Sequence, residues 1–305
     1  MTQPTTSAIH AEESFVVANG LRHHVLTWDD PALNSTKDAK ETVLLAHGFL
    51  DLAWSFRAFA QRLAAAGYRV VAWDWRGHGE SEWVGKGGYY HFPDYVLDLE
   101  RLFPQLVPGP EGTKAHLIAH SMGGTVGTMF AGVRGEKLHT LSLIEGLGPP
   151  AYKLERTPGK MRAWFDSVAK AASRDPRPLS VQAALQRMRV QNPTLDDELG
   201  LFLAEKSTRP TDVDDERHWR FDPLHRSTSP MPFRTEVFGA FLKRIPCPTL
   251  VVAGQKGYRL PDEEERYGQI PNHEFVEIPG VGHMVHWFEA PALADAWMSF
   301  VTRNS

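Results

Sequence analysis

The chain has 305 residues, 42% of them hydrophobic, with 33 Lys and Arg against 37 Asp and Glu for a formal charge of −4. That length and apolar content suit one large α/β domain with an insertion, or two modest domains, and argue against global disorder. The charge balance offers no basic field for nucleic acid or an anionic membrane, and the single cysteine, Cys247, excludes an internal disulfide or a Cys-rich zinc site.

Residues 1–13 form a polar tail without an apolar h-region, so no signal peptide is expected. No run reaches the ~18 apolar residues of a membrane span. The expectation is a soluble cytoplasmic protein, monomer or homodimer, with neither nucleic acid nor membrane as partner. Ser14–Val17 and Leu21–Leu26 flank Ala18-Asn19-Gly20, and Asn-Gly between strand-like runs predicts a hairpin. A polar loop is expected over residues 33–40. Thr42–Ala46 reads as a strand ending in His47-Gly48-Phe49. Trp54–Ala66 reads as a helix with Phe56, Phe59, Ala60 and Leu63 on one face, and Gly67 ends it. Tyr68–Trp73, Ala115–Ala119 and Leu141–Ile144 read as strands, and Thr125–Arg134 as a helix. Continuous apolar strands alternating with helices predict a parallel sheet covered on both faces.

The rhythm breaks at Gly148-Pro149-Pro150, and no strand is expected from there to about Glu236. Helices are predicted after Thr157-Pro158, after Ser180, and over Leu195–Glu205, with Thr194 preceding and Asp196, Asp197 and Glu198 in the first turn. Residues 207–232 read as a loop anchored by Trp219 and Phe221. The α/β rhythm resumes with a strand at Thr249–Ala253, a helix near Asp262–Tyr267, a strand at Glu274–Ile278 and a helix near Pro291–Val301. This predicts an α/β core of residues 14–148 and 236–305 and a helical cap of residues 149–235. Two sequential domains are the alternative, but they would leave the last two strands without a sheet.

Ala119-His120-Ser121-Met122-Gly123-Gly124 carries the chemistry. It joins a buried strand to a helix, and a serine at such a turn is strained and presents its hydroxyl at the helix N-terminus. Small residues must flank it, and Ala119 and Gly123 do. The plainer role is a helix cap. A serine nucleophile needs a base and an orienting anion. His283, on the glycine-flanked loop Gly280-Val281-Gly282 after the last strand, lies at the sheet edge where parallel α/β sheets place their sites. His286 is the near alternative. The oxyanion of acyl transfer needs preorganised donors: the N–H of Met122 is one by position, and that of Phe49, beside Gly48, is the second.

These motifs resemble the α/β-hydrolase superfamily over residues 14–303. The matching elements are His47-Gly48-Phe49 with Trp54, Asp74-Trp75-Arg76-Gly77-His78-Gly79-Glu80-Ser81, the Ser121 turn, and Gly282-His283-Met284. The resemblance implies that the Asp74–Ser81 loop is structural. It also places a catalytic acid at Gly-x-x-Asp after the strand Thr249–Ala253, where this chain reads Gly254-Gln255-Lys256-Gly257. Asp262 and Glu263 lie further on. Glu145, ending the strand Leu141–Ile144, matches an alternative acid position used by some haloalkane dehalogenases, and a buried carboxylate there needs a partner such as a histidine N–H. Dehalogenases and epoxide hydrolases use an aspartate nucleophile, so Ser121 points instead to acyl transfer on a small, apolar, ester-like substrate. Lactone, thioester, amide or carbon–carbon hydrolysis uses the same parts. The competing class is an inactive ligand-binding member of the fold. No cofactor or metal is implied. Trp164, Phe165, Met188 and Phe202 are candidates for an apolar pocket or for packing.

Overall fold

The computed structural model describes residues 9–29, 41–172 and 177–304. The first eight residues and the expected loop at 33–40 lie outside the described residues. Glu12–Ala18 (β1) and Leu21–Trp28 (β2) form the expected hairpin. Asn19 at φ 50° and Gly20 at φ 77° occupy its turn, the pair of positive φ values that a two-residue type I′ connection requires. The main sheet continues with Thr42–Ala46 (β3), Arg69–Trp73 (β4), Ala115–His120 (β5) and Leu138–Ile144 (β6). A separate hairpin of Thr208–Pro210 (β7) and Arg217–Trp219 (β8) precedes Thr249–Gly254 (β9) and His273–Ile278 (β10).

The helices, in chain order, are Arg57–Ala65 (α1), Phe92–Leu106 (α2), Met122–Arg134 (α3), Thr157–Ala172 (α4), Val181–Gln191 (α5), Asp197–Lys206 (α6), Thr235–Leu242 (α7), Glu263–Tyr267 (α8), Val285–Phe288 (α9) and Ala290–Arg303 (α10).

The sheet order is β1-β2-β4-β3-β5-β6-β9-β10. β1, β2 and β4 pair antiparallel, and every later neighbour is parallel. Alternation along each strand sorts side chains to opposite faces. Val43 and Leu45 of β3 join Phe59 and Leu63 of α1 and Leu293 and Trp297 of α10. Leu44 and Ala46 join Leu99 of α2, Val126 and Phe130 of α3, and Phe238 and Leu242 of α7. Both faces are thereby dry, which is why the central strands are apolar at nearly every position.

Between β6 and β9 the chain leaves the sheet. Helices α4 to α6 and the β7–β8 hairpin lie there, with a small apolar cluster of their own around Leu179, Leu185, Leu195 and Ala204. Several polar contacts tie this insertion to the core. Asp222 N–H donates to Gly77 O at 2.8 Å, Tyr90 O–H donates to Asp222 Oδ2 at 2.7 Å, and the buried Arg266 guanidinium donates to Leu147 O and Pro149 O at 2.8 Å each.

Four expectations are corrected. The β7–β8 hairpin lies where no strand was predicted; three residues per strand leave no alternation to read. Helix α2 was absent from the predicted elements because Pro93 and Pro104 interrupt its pattern, yet Pro93 sits in the first turn, where proline costs nothing. The N-cap of α6 is Asp196, whose side chain accepts from Leu199 N–H, rather than Thr194. The predicted helix Trp54–Ala66 also divides, into a 3₁₀ turn at Ala53–Phe56 and α1.

The core buries several imidazoles. Burial pushes His47, His78, His120 and His286 below the ordinary value of 6.5, His116 down to about 4 and His225 to about 3. The unfolded chain takes up these protons near pH 6.5 and the folded chain does not. Stability therefore falls as pH drops below 6.5, where the unfolded chain binds protons that the folded chain does not. His24 opposes the trend: burial pulls it down, but its bond to Asp74 carries it above the ordinary value. Urea unfolding at pH 8, 7, 6 and 5 is expected to show a steep loss between 6.5 and 5. A flat profile over that range would contradict the neutral, buried assignment.

Candidate active site

Ser121 joins β5 to α3 with φ 50° and ψ −114°. Such a backbone costs a side-chain-bearing residue roughly 1–3 kcal/mol and persists only where its surroundings enforce it. Here they do. A Cβ on Gly123 would lie 2.5 Å from Ala46 O, and one on Gly124 would lie 2.6 Å from Gly146 Cα. Ala119, where the resemblance favours glycine, is accommodated because Gly127 faces its methyl; a Cβ at Gly127 would come within 3.2 Å of it. Ser121 N–H donates to Ile144 O at 2.9 Å, and its hydroxyl makes no capping bond to α3.

Glu145 follows β6, also at φ 50°, with N–H donating to Val252 O at 2.9 Å. This turns its carboxylate, only 2% exposed, across the end of β9. Oε1 accepts Gly254 N–H at 2.7 Å, and Oε2 accepts Tyr258 N–H at 3.1 Å. Oε2 also meets His283 Nδ1 at 3.0 Å. An ionised carboxylate only accepts, so Nδ1 carries the imidazole proton and Nε2 is the basic nitrogen. The side chain of His283 is 40% exposed.

The departure at Gly257 now has a physical account. A Cβ there would sit 2.0 Å from Glu145 Oε1. The empty side chain at 257 is the space that the carboxylate from the neighbouring strand occupies. The other two acid candidates are engaged elsewhere: Asp262 Oδ2 pairs with Arg266 at 2.9 Å, and Glu263 pairs with Arg259.

The loop after β3 lies against the Ser121 turn. His47 Nε2 accepts Trp75 N–H at 3.0 Å, so Nδ1 is protonated and donates to Gly48 O at 2.7 Å; His47 is structural. A Cβ on Gly48 would meet His120 Nδ1 at 2.8 Å and Ser121 Cβ at 3.2 Å, so only glycine lets the loop approach this closely. Phe49 follows, half-exposed, with its ring edge-on to His225. Met122 opens α3. Ser121 and His283 do not hydrogen-bond to each other among the described residues; catalytic contacts of this kind often close only around substrate.

The Asp74–Ser81 loop is a structural knot. Buried Asp74 accepts from Ala53 N–H at 2.7 Å, Glu80 N–H at 2.9 Å and His24 Nδ1 at 2.8 Å. Among the apolar candidates of the insertion, Phe202 packs edge-on against Trp54 under Arg57, Met188 belongs to the insertion's own cluster, and Trp164 packs against Tyr89. Phe165 is exposed.

The family model described as "Alpha/beta hydrolase family" matches residues 43–296. The chain belongs to this family. "Serine hydrolase-like protein 2" of Homo sapiens is 26% identical over 287 residues, covering 85% of this hydrolase and 86% of that protein. "Serine hydrolase-like protein" of Danio rerio is 30% identical over 174 residues, 56% of this chain and 52% of that protein, so the match spans about half of that relative's length. The thioesterase domain from the curacin biosynthetic pathway superposes with a TM-score of 0.79 at 26% identity, covering 94% of this chain and 99% of that one. Among the described residues no helix is long and apolar enough to cross a membrane.

Two site features had no assignment from sequence. His120 donates from Nε2 to His283 O at 3.0 Å and so holds the histidine loop; only the fold brings these residues together. Gly257 was read as a missing acid. A glycine, rather than any other residue, at that place was the signal that something else fills it.

Proposed function

We propose that this hydrolase cleaves a carboxylic ester, or a related acyl bond, of a small apolar substrate through an acyl-enzyme. Ser121 attacks the carbonyl carbon and His283 Nε2 takes the hydroxyl proton. Glu145 holds the imidazole tautomer and supports the imidazolium. The N–H groups of Phe49 and Met122 bind the oxyanion. His283 then protonates the leaving group and activates the water that frees the acid. The observation that carries this reading is the 3.0 Å bond from His283 Nδ1 to a buried, otherwise backbone-held Glu145, at the same sheet edge as the strained Ser121. The helical insertion, residues 149–235, is the cap that selects the substrate. Thioesters are the next class to assay, because the structural relative named above is a thioesterase domain.

A small fluorophosphonate tests the reading. Intact mass is expected to show one adduct on the wild type and none on Ser121→Ala. An unmodified wild type, or an adduct retained by Ser121→Ala, would remove the activated serine from the proposal.

A further inference from the structure

Behind the nucleophile lies a second polar cluster that acyl transfer does not use. Asp51 sits on the loop after β3, His120 ends β5 and His286 lies on α9. They are 7%, 1% and 0% exposed. One nitrogen of each imidazole and one Asp51 oxygen all lie within 4.8 Å of one another.

The hydrogen bonds leave this cluster short of donors. His120 Nε2 donates to His283 O, so its proton is there and Nδ1 is a bare lone pair without a partner. Ser55 Oγ–H donates to Asp51 Oδ2 at 2.9 Å. With that proton committed, Ser55 Oγ accepts from His286 Nε2 at 3.2 Å, which leaves His286 Nδ1 bare and also without a partner. Asp51 Oδ1 has no donor either. Three buried acceptors face a shortage of positive charge, and one belongs to a carboxylate, the costliest group to bury in that condition.

His120 already offers an unprotonated ring nitrogen, because its proton is held on Nε2 by His283 O. Two neutral imidazoles and a carboxylate are a donor set for first-row divalent ions. Bonds of about 2.0–2.2 Å place tetrahedral ligand atoms roughly 3.3–3.5 Å apart. His286 Nε2 and Asp51 Oδ2 already stand 3.5 Å apart, and the remaining pairs need a modest inward shift. Ligation through His286 Nε2 moves that ring's proton to the unpartnered Nδ1, and a cation then answers His120 Nδ1, Asp51 and the buried charge, where a water molecule supplies only two donors.

We infer that Asp51, His120 and His286 form a buried site for one divalent transition ion of the cobalt-to-zinc class. His120 contributes Nδ1, Asp51 its carboxylate and His286 a ring nitrogen. The ion sits beside the His283 loop, because His120 bonds that loop from its other nitrogen and the His120 and His283 ring centres are 4.8 Å apart.

The test uses chelator-treated full-length protein incubated for hours with cobalt(II) or zinc(II) and then desalted. Wild type is expected to retain about one equivalent. It should show visible ligand-field bands with cobalt and a melting temperature that rises with the ion and returns with EDTA. Asp51→Asn, which keeps the shape and the Ser55 bond, and His286→Gln are expected to bind about tenfold more weakly or worse. The site is overturned if wild type retains no ion, or if both variants retain as much as wild type, since the ion would then sit on surface histidines. The ion count and cobalt spectrum are read before any substrate is added, so they stand if no ester is ever turned over. They also carry the test if a variant fails to fold.

Discussion

Ser121→Ala is expected to lower ester turnover by about three orders of magnitude or more while the fold survives. The hydroxyl makes no capping bond to α3, so its removal leaves no buried partner unsatisfied. The strain at residue 121 is set by the glycines around it and is unchanged by alanine. Melting temperature should therefore move by only a few degrees, on the order of the shift that 1 kcal/mol produces in a chain of this size. The loss should fall on kcat rather than KM, because the substitution leaves the proposed oxyanion donors, the N–H groups of Phe49 and Met122, in place. Residual activity should also lose its fluorophosphonate sensitivity. Steady-state kinetics on short-chain p-nitrophenyl esters checks both parts. A variant retaining a tenth of wild-type turnover would remove Ser121 as nucleophile.

That the candidate nucleophile was legible from sequence, and its candidate acid less so, has a physical cause. The Ser121 turn is encoded locally: a strand of six buried residues, a helix, and glycines at 123 and 124 whose side chains would strike Ala46 and Gly146. Each constraint lies within a few residues of the serine. The strands Thr42–Ala46 and Leu141–Ile144 were readable because burial on both faces leaves them mostly apolar, whereas Leu138-His139-Thr140, the start of β6, breaks that pattern and was not read. Glu145 depends instead on β6 lying beside β9, which brings Gly254 N–H and Tyr258 N–H onto its carboxylate from more than a hundred residues away. A list of fourteen histidines likewise gives no sign that His120 turns one nitrogen to His283 and leaves the other bare beside Asp51 and His286. Elements also failed where the pattern was short or interrupted: three-residue β7 and β8 carry no period, and the prolines of α2 mask a helix that buries Tyr95, Leu99, Leu102 and Leu106.

The second large effect comes from Glu145 and Gly257 together. Glu145→Gln keeps the shape but no longer holds the imidazole tautomer or supports its charge, and turnover is expected to fall by about two to four orders of magnitude. Gly257→Ala should fall in the same direction, by about two orders, although residue 257 carries no functional group. Its new methyl would stand 2.0 Å from Glu145 Oε1, so the carboxylate must leave the bonds from Gly254 and Tyr258 that aim it at His283. The pair should then show a reversal of sign. Gly257→Asp alone is damaging, because it adds a clash and a second negative charge to an occupied space. With Glu145→Gly the space is empty, the strain of a side chain at φ 50° is relieved, and an aspartate at 257 stands where the family more often carries its acid. The double variant is expected to exceed either single variant in kcat/KM. A cycle of four proteins measures this. An unimpaired Gly257→Ala, or a double variant no better than Glu145→Gly, would show that the carboxylate at this edge does not orient His283 and that the exchange of position between the two strands has no catalytic meaning.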